Sequence, residues 1–264
     1  MPDALARTYE RLESGGTVLN GWLHLPGGVG AELMGRAGYE ALTVDLQHGL
    51  IGGGGLVQAL QAVAATPAAP FVRVAGLHPP DLMRALDAGA VGVICPLIDT
   101  PQQARALVHA CRYPPTGGRS FGPTRARSLY DDYFERADRE TLIFAMIETR
   151  AGLDALDAIL DTPGLSGIFV GPGDLSLSLT GRPSFDFRSG VLHEAVAHIA
   201  QQTTLHGLIP GLFTPGADLA RAALELGYRF VTAGSDSALL AGAARAVLTE
   251  LRAQAPIPAA PSSY

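Results

Sequence analysis

The sequence predicts a closed eight-stranded α/β barrel of the TIM type, and three observations carry that reading. Eight short apolar runs each precede a stretch with apolar residues at helical spacing, with no linker between them. The chain has 264 residues, close to the roughly 250 typical of one such barrel. No GxGxxG follows the first apolar run, which argues against a doubly wound open sheet.

Taken in order, Gly16–Leu25 reads as the first strand and Gly30–Gly38 as its helix. Glu40–Leu46 is the second strand and ends on Gln47, His48 and Gly49. The glycines of Gly52–Gly55 read as a flexible turn before the helix Leu56–Ala65, since they have neither the lysine nor the spacing of a phosphate loop. Phe71–Ala75 is the third strand and Pro79–Asp87 its helix; Val91–Leu97 is the fourth, followed by the helix Gln102–Cys111. A long segment, Arg112–Glu140, contains the basic run RSFGPTRAR, and its length marks it as a functional loop or an interface. Leu142–Ile147 and Gly167–Val170 are strands five and six, with a helix over Ala151–Leu160 between them. Helix Val191–His206, strand Leu208–Phe213, helix Pro215–Gly227, strand Arg229–Ala233 and helix Ser237–Arg252 complete the alternation. The barrel domain is expected to span residues 1–254, with an Ala/Pro/Ser-rich tail over 255–264.

Composition narrows the chemistry. There is no lysine, so a Schiff-base aldolase, a pyridoxal phosphate enzyme and a Walker-type nucleotide site are excluded in their usual forms. The net charge of −6 and the lack of a basic stripe exclude nucleic acid as a natural partner. No apolar run reaches transmembrane length and no leader-like stretch opens the chain, so a cytoplasmic protein is expected. Cys95 and Cys111 match no zinc spacing and read as small core residues.

Chemistry in this fold sits at the carboxyl ends of the strands. There the sequence places Trp22, His24, Gln47, His48, Arg73, Pro96, Glu148, Asp174, Phe213 and Ser235. Glu148 and Asp174 follow two successive parallel strands, so they should stand side by side. Two carboxylates without Cys or His beside them suit a hard, oxygen-seeking cation such as Mg²⁺ or Mn²⁺. Taken singly, Asp174 reads as a helix N-cap and Glu148 as an acid before a helix; together they favour the metal. The backbone N–H groups of Gly173 and Asp174 open a helix and suit a small carboxylate. Arg73, inside an apolar strand, requires a partner, either a structural carboxylate or a substrate oxyanion. Asp45 carries the same ambiguity. His48 is a neutral-range base on this rim, or else a histidine capping a turn. Asp87, at a helix end, reads by itself as a solvated cap. His78, His109, His193, His198 and His206 fall away from the rim.

The segments DLQHG, VRV, LDAGAVGVICPLIDT, RYPPTGGRSFG, IET and GPGDLSLSLTG resemble, in order, the metal-dependent class II pyruvate aldolases. The resemblance implies that Glu148 and Asp174 hold a divalent metal, Mg²⁺ or Mn²⁺ with Co²⁺ as an alternative. It implies that Arg73 holds the pyruvate oxygen and stabilises its enolate, and that Gly173 and Asp174 bind the pyruvate carboxylate. His48 would serve proton transfer, with Asp87 orienting it and Asp45 nearby. Substrate-contacting roles extend to Trp22, Gln47 and Leu212. The family is often hexameric, a trimer of dimers exchanging the last helix, here Ser237–Arg252. Two positions depart from its pattern. Gln47 stands where an acid is usual, as in members that accept hydroxypyruvate, and Met146 stands where the type enzyme has glutamine. The expected activity is cleavage or formation of 4-hydroxy-2-oxo acids from pyruvate or hydroxypyruvate and an aldehyde. The alternatives are a lyase acting on CoA thioesters of malyl type and a non-catalytic 2-oxo acid binding protein.

Overall fold

The computed structural model describes residues 3–254; the expected tail over 255–264 lies outside them. A helix α1 (Ala4–Glu13) comes first. Then β1 (Val18–Leu23), α2 (Gly28–Arg36), β2 (Ala41–Asp45), α3 (Gly53–Ala64), β3 (Ala69–Arg73), α4 (Pro79–Asp87), β4 (Gly92–Cys95) and α5 (Pro101–Cys111) alternate. Two helices, α6 (Ala126–Leu129) and α7 (Tyr133–Glu140), occupy the long segment before β5 (Leu142–Ile147). The second half runs α8 (Arg150–Asp154), α9 (Leu156–Leu160), β6 (Gly167–Val170), α10 (Pro172–Thr180), α11 (Gly190–Leu205), β7 (Ile209–Thr214), α12 (Ala217–Glu225), β8 (Phe230–Ser235) and α13 (Asp236–Gln254). The eight strands close in sequence order, all parallel, with β8 pairing back onto β1.

Several expectations are refined. Helix α3 begins at Gly53, so three of the four glycines form its first turn and only Gly52 precedes it. The helix expected over Ala151–Leu160 breaks at Ala155 into α8 and α9. Cys95 and Cys111 are free and buried, and burial raises both thiols above their ordinary range. Among the described residues no helix is long and apolar enough to cross a membrane.

Side chains alternate along each strand, so every strand feeds two cores. Outward residues such as Leu42, Val72, Ile168, Leu212 and Val231 pack against the helices. Inward residues fill the barrel, where the rings of Phe71, Phe144 and Phe169 gather around Phe230 at 4.7, 5.1 and 6.0 Å. Burial of each such ring contributes about 2–3 kcal/mol. Leu5 and Leu12 of α1 pack onto this inner cluster beside Val18, Ala41, Ala69 and Leu142, which begin their strands. Thus α1 closes the amino-terminal end. Arg136 on α7 fixes it there through Asp3, at 2.8 and 2.9 Å. The carboxyl end is left open.

Candidate active site

Register sets the first constellation. Asp45 and Arg73 are paired neighbours on β2 and β3, and both face inward. Arg73 Nε donates to Asp45 Oδ1 at 2.8 Å and Nη2 to Oδ2 at 2.5 Å, a bidentate fork. Trp22 Nε1 donates to Oδ2 at 3.1 Å, and His24 Nε2 lies 3.2 Å from the same oxygen. The backbone N–H groups of Gln47 and His48 complete the set on Oδ1, at 3.0 and 3.3 Å. Burial alone would raise the Asp45 carboxyl, but the hydrogen bonds from His24, Arg73 and Trp22 and the guanidinium charge overcome it and hold the group far below the usual range. Asp45 is therefore the structural carboxylate that Arg73 requires, a fixed anion with its lone pairs engaged. Nη1 of Arg73 has no hydrogen-bond partner among the described residues, and the side chain, 9% exposed, lines the cavity above.

The second constellation follows from β5 and β6. Ile147 pairs with Val170 at the ends of these strands, so Glu148 and Gly171 leave them together. Glu148 is 1% exposed. Its Oε1 accepts from the Leu97 N–H at 3.0 Å, and Leu97 adopts φ +57° to aim that donor. A Cβ on Gly171 would stand 2.6 Å from Oε2, so only glycine lets the carboxylate sit there. Burial, joined by the Asp174 charge, pushes the Glu148 carboxyl up to about 7 against the opposing Leu97 N–H and Arg73. Asp174 lies in the first turn of α10, whose N-cap is Gly171 with no side-chain cap; it is not the N-cap. Pro172 has no N–H, and the N–H groups of Gly173 and Asp174 have no intrahelical acceptor at this end.

These groups line one cavity of about 290 Å³, formed by Trp22, His24, His48, Arg73, Glu148, Gly173 and Asp174 on one side. Met146, Pro183, Phe185 and Phe213 make the rest of its wall apolar. A carboxylate with a buried, uncompensated charge beside a second acid is the donor chemistry a hard divalent cation satisfies. Among the described residues there is no group of three or more His, Cys, Asp or Glu arranged for a metal.

The structure brings together Trp22, His48, Arg73, Gly173, Asp174 and Glu148. It does not bring the other four there. Asp45 lies beneath the cavity as the anchor of Arg73. Gln47 turns its Oε1 into a buried position without a partner among the described residues, off the cavity wall. Leu212 packs outward in the helix-facing core, and the next residue, Phe213, takes the inward position. Asp87 ends α4 and so sits near the amino-terminal end of the barrel; its Oδ1 accepts from Arg119 Nη2 at 2.6 Å, and within this chain it makes no hydrogen bond to His48. Arg119 and Arg125 of the basic run are tied down at that same end, to Asp87 and to the Ala88 carbonyl. His24 was visible on the rim but unassigned. Its signal is its spacing: two residues after inward-facing Trp22, it shares that face.

Residues 22–243 match the family model HpcH/HpaI aldolase/citrate lyase. The chain is 40% identical over 240 residues to a hydroxypyruvate/pyruvate aldolase of Rhizorhabdus wittichii, covering 90% of this chain and 96% of the relative. It is 34% identical over 250 residues to the 4-hydroxy-2-oxo-heptane-1,7-dioate aldolase of Escherichia coli, covering 92% and 94%. A crystal structure of an HpcH/HpaI aldolase/citrate lyase family protein from Burkholderia cenocepacia superposes with a TM-score of 0.87 at 32% identity, covering 93% of this chain and 99% of that one. The family model and these relatives make the chain an enzyme of the class II aldolase kind. The chain belongs to the HpcH/HpaI aldolase/citrate lyase family, whose aldolases depend on a divalent metal. Neither the thioester lyase nor the binding protein is favoured by these relatives.

Proposed function

We propose that this aldolase cleaves or forms 4-hydroxy-2-oxo acids, with pyruvate or hydroxypyruvate as the donor and an aldehyde as the acceptor. The observation that carries the reading is that one cavity presents both an arginine held by a buried carboxylate and an uncompensated carboxylate, Glu148. Glu148 and Asp174 would hold the metal. Their all-oxygen donor set favours Mg²⁺ or Mn²⁺, with Co²⁺ also accommodated. When bound, the cation supplies Lewis acidity toward the donor's C2 oxygen.

The chain's own residues account for the remainder. The free N–H groups of Gly173 and Asp174 receive the donor carboxylate at the positive end of α10. Breaking C3–C4 leaves an electron pair on C3 that delocalises onto the C2 oxygen. Arg73 meets the developing charge with a guanidinium that Asp45 and Trp22 have already oriented, so little reorganisation is required. The Trp22 ring lies 5.0 Å from the guanidinium carbon and supports it from the face. His48, whose side chain makes no hydrogen bond among the described residues, takes the C4 hydroxyl proton during cleavage and returns it during synthesis. Met146, Phe185 and Phe213 exclude water from the carbanion.

Homo-oligomerisation through the last helix, as a hexamer built from dimers, belongs to the same reading. Leu240, Val247, Leu248 and Leu251 recur at helical spacing on α13 and are each about half exposed or more. An apolar stripe of that kind on an exposed helix suits a second copy of the chain.

Arg73→Ala tests the assignment. Exchange of the pyruvate methyl protons with deuterium, followed by NMR with Mn²⁺ replaced by Mg²⁺, should slow by about a hundredfold or more while metal affinity is retained. Exchange at the native rate would remove Arg73 from the mechanism.

A further inference from the structure

We propose that His24 is a positioning residue, the strut that ties the Asp45–Arg73 pair to the root of α13. The inference rests on the role given to Arg73 above, and it concerns what holds that role in place.

Of the side chains that donate to Asp45 Oδ2, Trp22 is immobilised by ring packing on Phe169 and Phe213 at 5.6 and 5.4 Å. Arg73 is the group being positioned. His24 differs from both because its orientation is set by another element. Its Nδ1 lies 3.0 Å from Ser237 Oγ, in the first turn of α13, and Ser237 Oγ lies 3.2 Å from Ser235 Oγ at the end of β8. Its backbone is gripped by the same turn: Asp236 accepts the N–H of His24 at 2.9 Å and that of Leu25 at 3.0 Å. A continuous path of polar contacts therefore runs from the root of α13 through His24, whose Nε2 lies 3.2 Å from Asp45 Oδ2, to Asp45 and Arg73.

The protonation pattern follows from the partners. Asp45 carries no proton and only accepts, so His24 Nε2 bears hydrogen. In the neutral ring Nδ1 then accepts from the Ser237 hydroxyl. Both ring nitrogens are consumed, which leaves none to exchange a proton with substrate, although the ring lines the cavity. That separates His24 from His48. With its three side-chain donors, Oδ2 is pinned and the carboxylate cannot rotate about its terminal torsion. Without His24 Oδ2 loses one of its three side-chain contacts, and the carboxylate and the Arg73 fork on it are held less tightly. A small misplacement of a group aimed at developing charge costs much more in rate than in ligand binding.

The test uses the full chain, with Mg²⁺, and four variants. Glutamine places its amide nitrogen where His Nε2 stands, whereas asparagine reaches only the Nδ1 position. His24→Ala should slow pyruvate methyl exchange at saturation by about tenfold or more, with half-saturating pyruvate moved less than about threefold. His24→Gln should recover most of the rate and His24→Asn should not. Ser237→Ala should slow exchange by about threefold. Independently of any reaction, the ¹⁵N-resolved Arg73 Nε–H, protected by Asp45, should exchange with solvent about tenfold faster in His24→Ala and remain protected in His24→Gln. The proposal is overturned if the Nε–H lifetime in His24→Ala stays within twofold of native, or if asparagine restores the rate as well as glutamine. If His24→Ala does not fold, the glutamine–asparagine difference and Ser237→Ala decide. Should the native chain fail to exchange pyruvate protons, the donor assignment falls, while the Nε–H lifetimes still judge His24.

Discussion

Two buried carboxylates stand at the carboxyl end of this barrel, and the protein treats them in opposite ways. Asp45, on the β1–β3 side, is surrounded by donors from Trp22, His24, Arg73 and two backbone amides. Glu148, on the β5–β6 side, receives one backbone N–H and faces a second acid. One carboxyl is pushed far down and the other up to about 7. A saturated anion is a piece of the framework, because nothing further can be gained by bringing charge to it. An under-compensated anion is an energetic vacancy that an incoming cation fills. The same residue class thus builds a support on one side of the cavity and a receptor on the other.

The comparison breaks most visibly at the support. Asp45→Ala leaves the Arg73 guanidinium buried without its counter-ion, and the expected cost is roughly 3–5 kcal/mol, read as a lowered midpoint in urea. A loss below about 1 kcal/mol, the scale of an exposed ion pair, would mean that Arg73 finds another partner.

Glu148→Gln should act in the other direction. Its folded-state pKa of about 7 lies above the ordinary 4.5. The stabilisation linked to its proton is complete below the unfolded value and is lost as pH rises through the folded one. The glutamine variant of the metal-free protein should therefore be more stable than native by up to about 3 kcal/mol near pH 8, with the gain vanishing toward pH 4. Asp45 has its pKa lowered, so it supplies no such change over this window; its contribution is lost only in strong acid. Thermal denaturation of both proteins with chelator at several pH values measures the difference. A pH-independent gain would refute the burial argument. The same substitution should abolish metal binding.

The smallest expected effect sharpens the receptor side. Gly171→Ala pushes Glu148 from its seat, because the added methyl meets Oε2 at 2.6 Å. Metal affinity should fall by about tenfold, roughly 1.4 kcal/mol, in a calorimetric titration. Unchanged affinity would show that the carboxylate does not need its present position.

What the sequence disclosed depended on how local the cause was. Strands β5 and β6 have the bounds read from the sequence, because runs buried on both faces are apolar throughout and end abruptly at Glu148 and at the GPGD turn. That Glu148 and Asp174 stand at one rim was legible for the same reason: adjacent strands bring their ends together. Helix α1 was not anticipated. It buries Leu5, Thr8 and Leu12, with Ala4 and Tyr9 packed beside them, so its closing role depends on a barrel floor that one short segment cannot reveal. Leu212 in place of Phe213 is an error of strand phase, which one residue reverses completely. The position of Asp87 was recoverable, since a helix that leaves the carboxyl end must finish at the amino end. Nothing local announces the contacts of His24, whose hydroxyl partner lies 213 residues away.

The floor made by α1 and the rings above it gives the barrel a single doorway. Phe71, Phe144, Phe169 and Phe230 fill the barrel axis below the cavity. Arg73 and Glu148 are buried at its inner end, whereas Phe185, 45% exposed, stands at the entrance. A molecule seated against the buried pair is reached from the side where Phe185 stands.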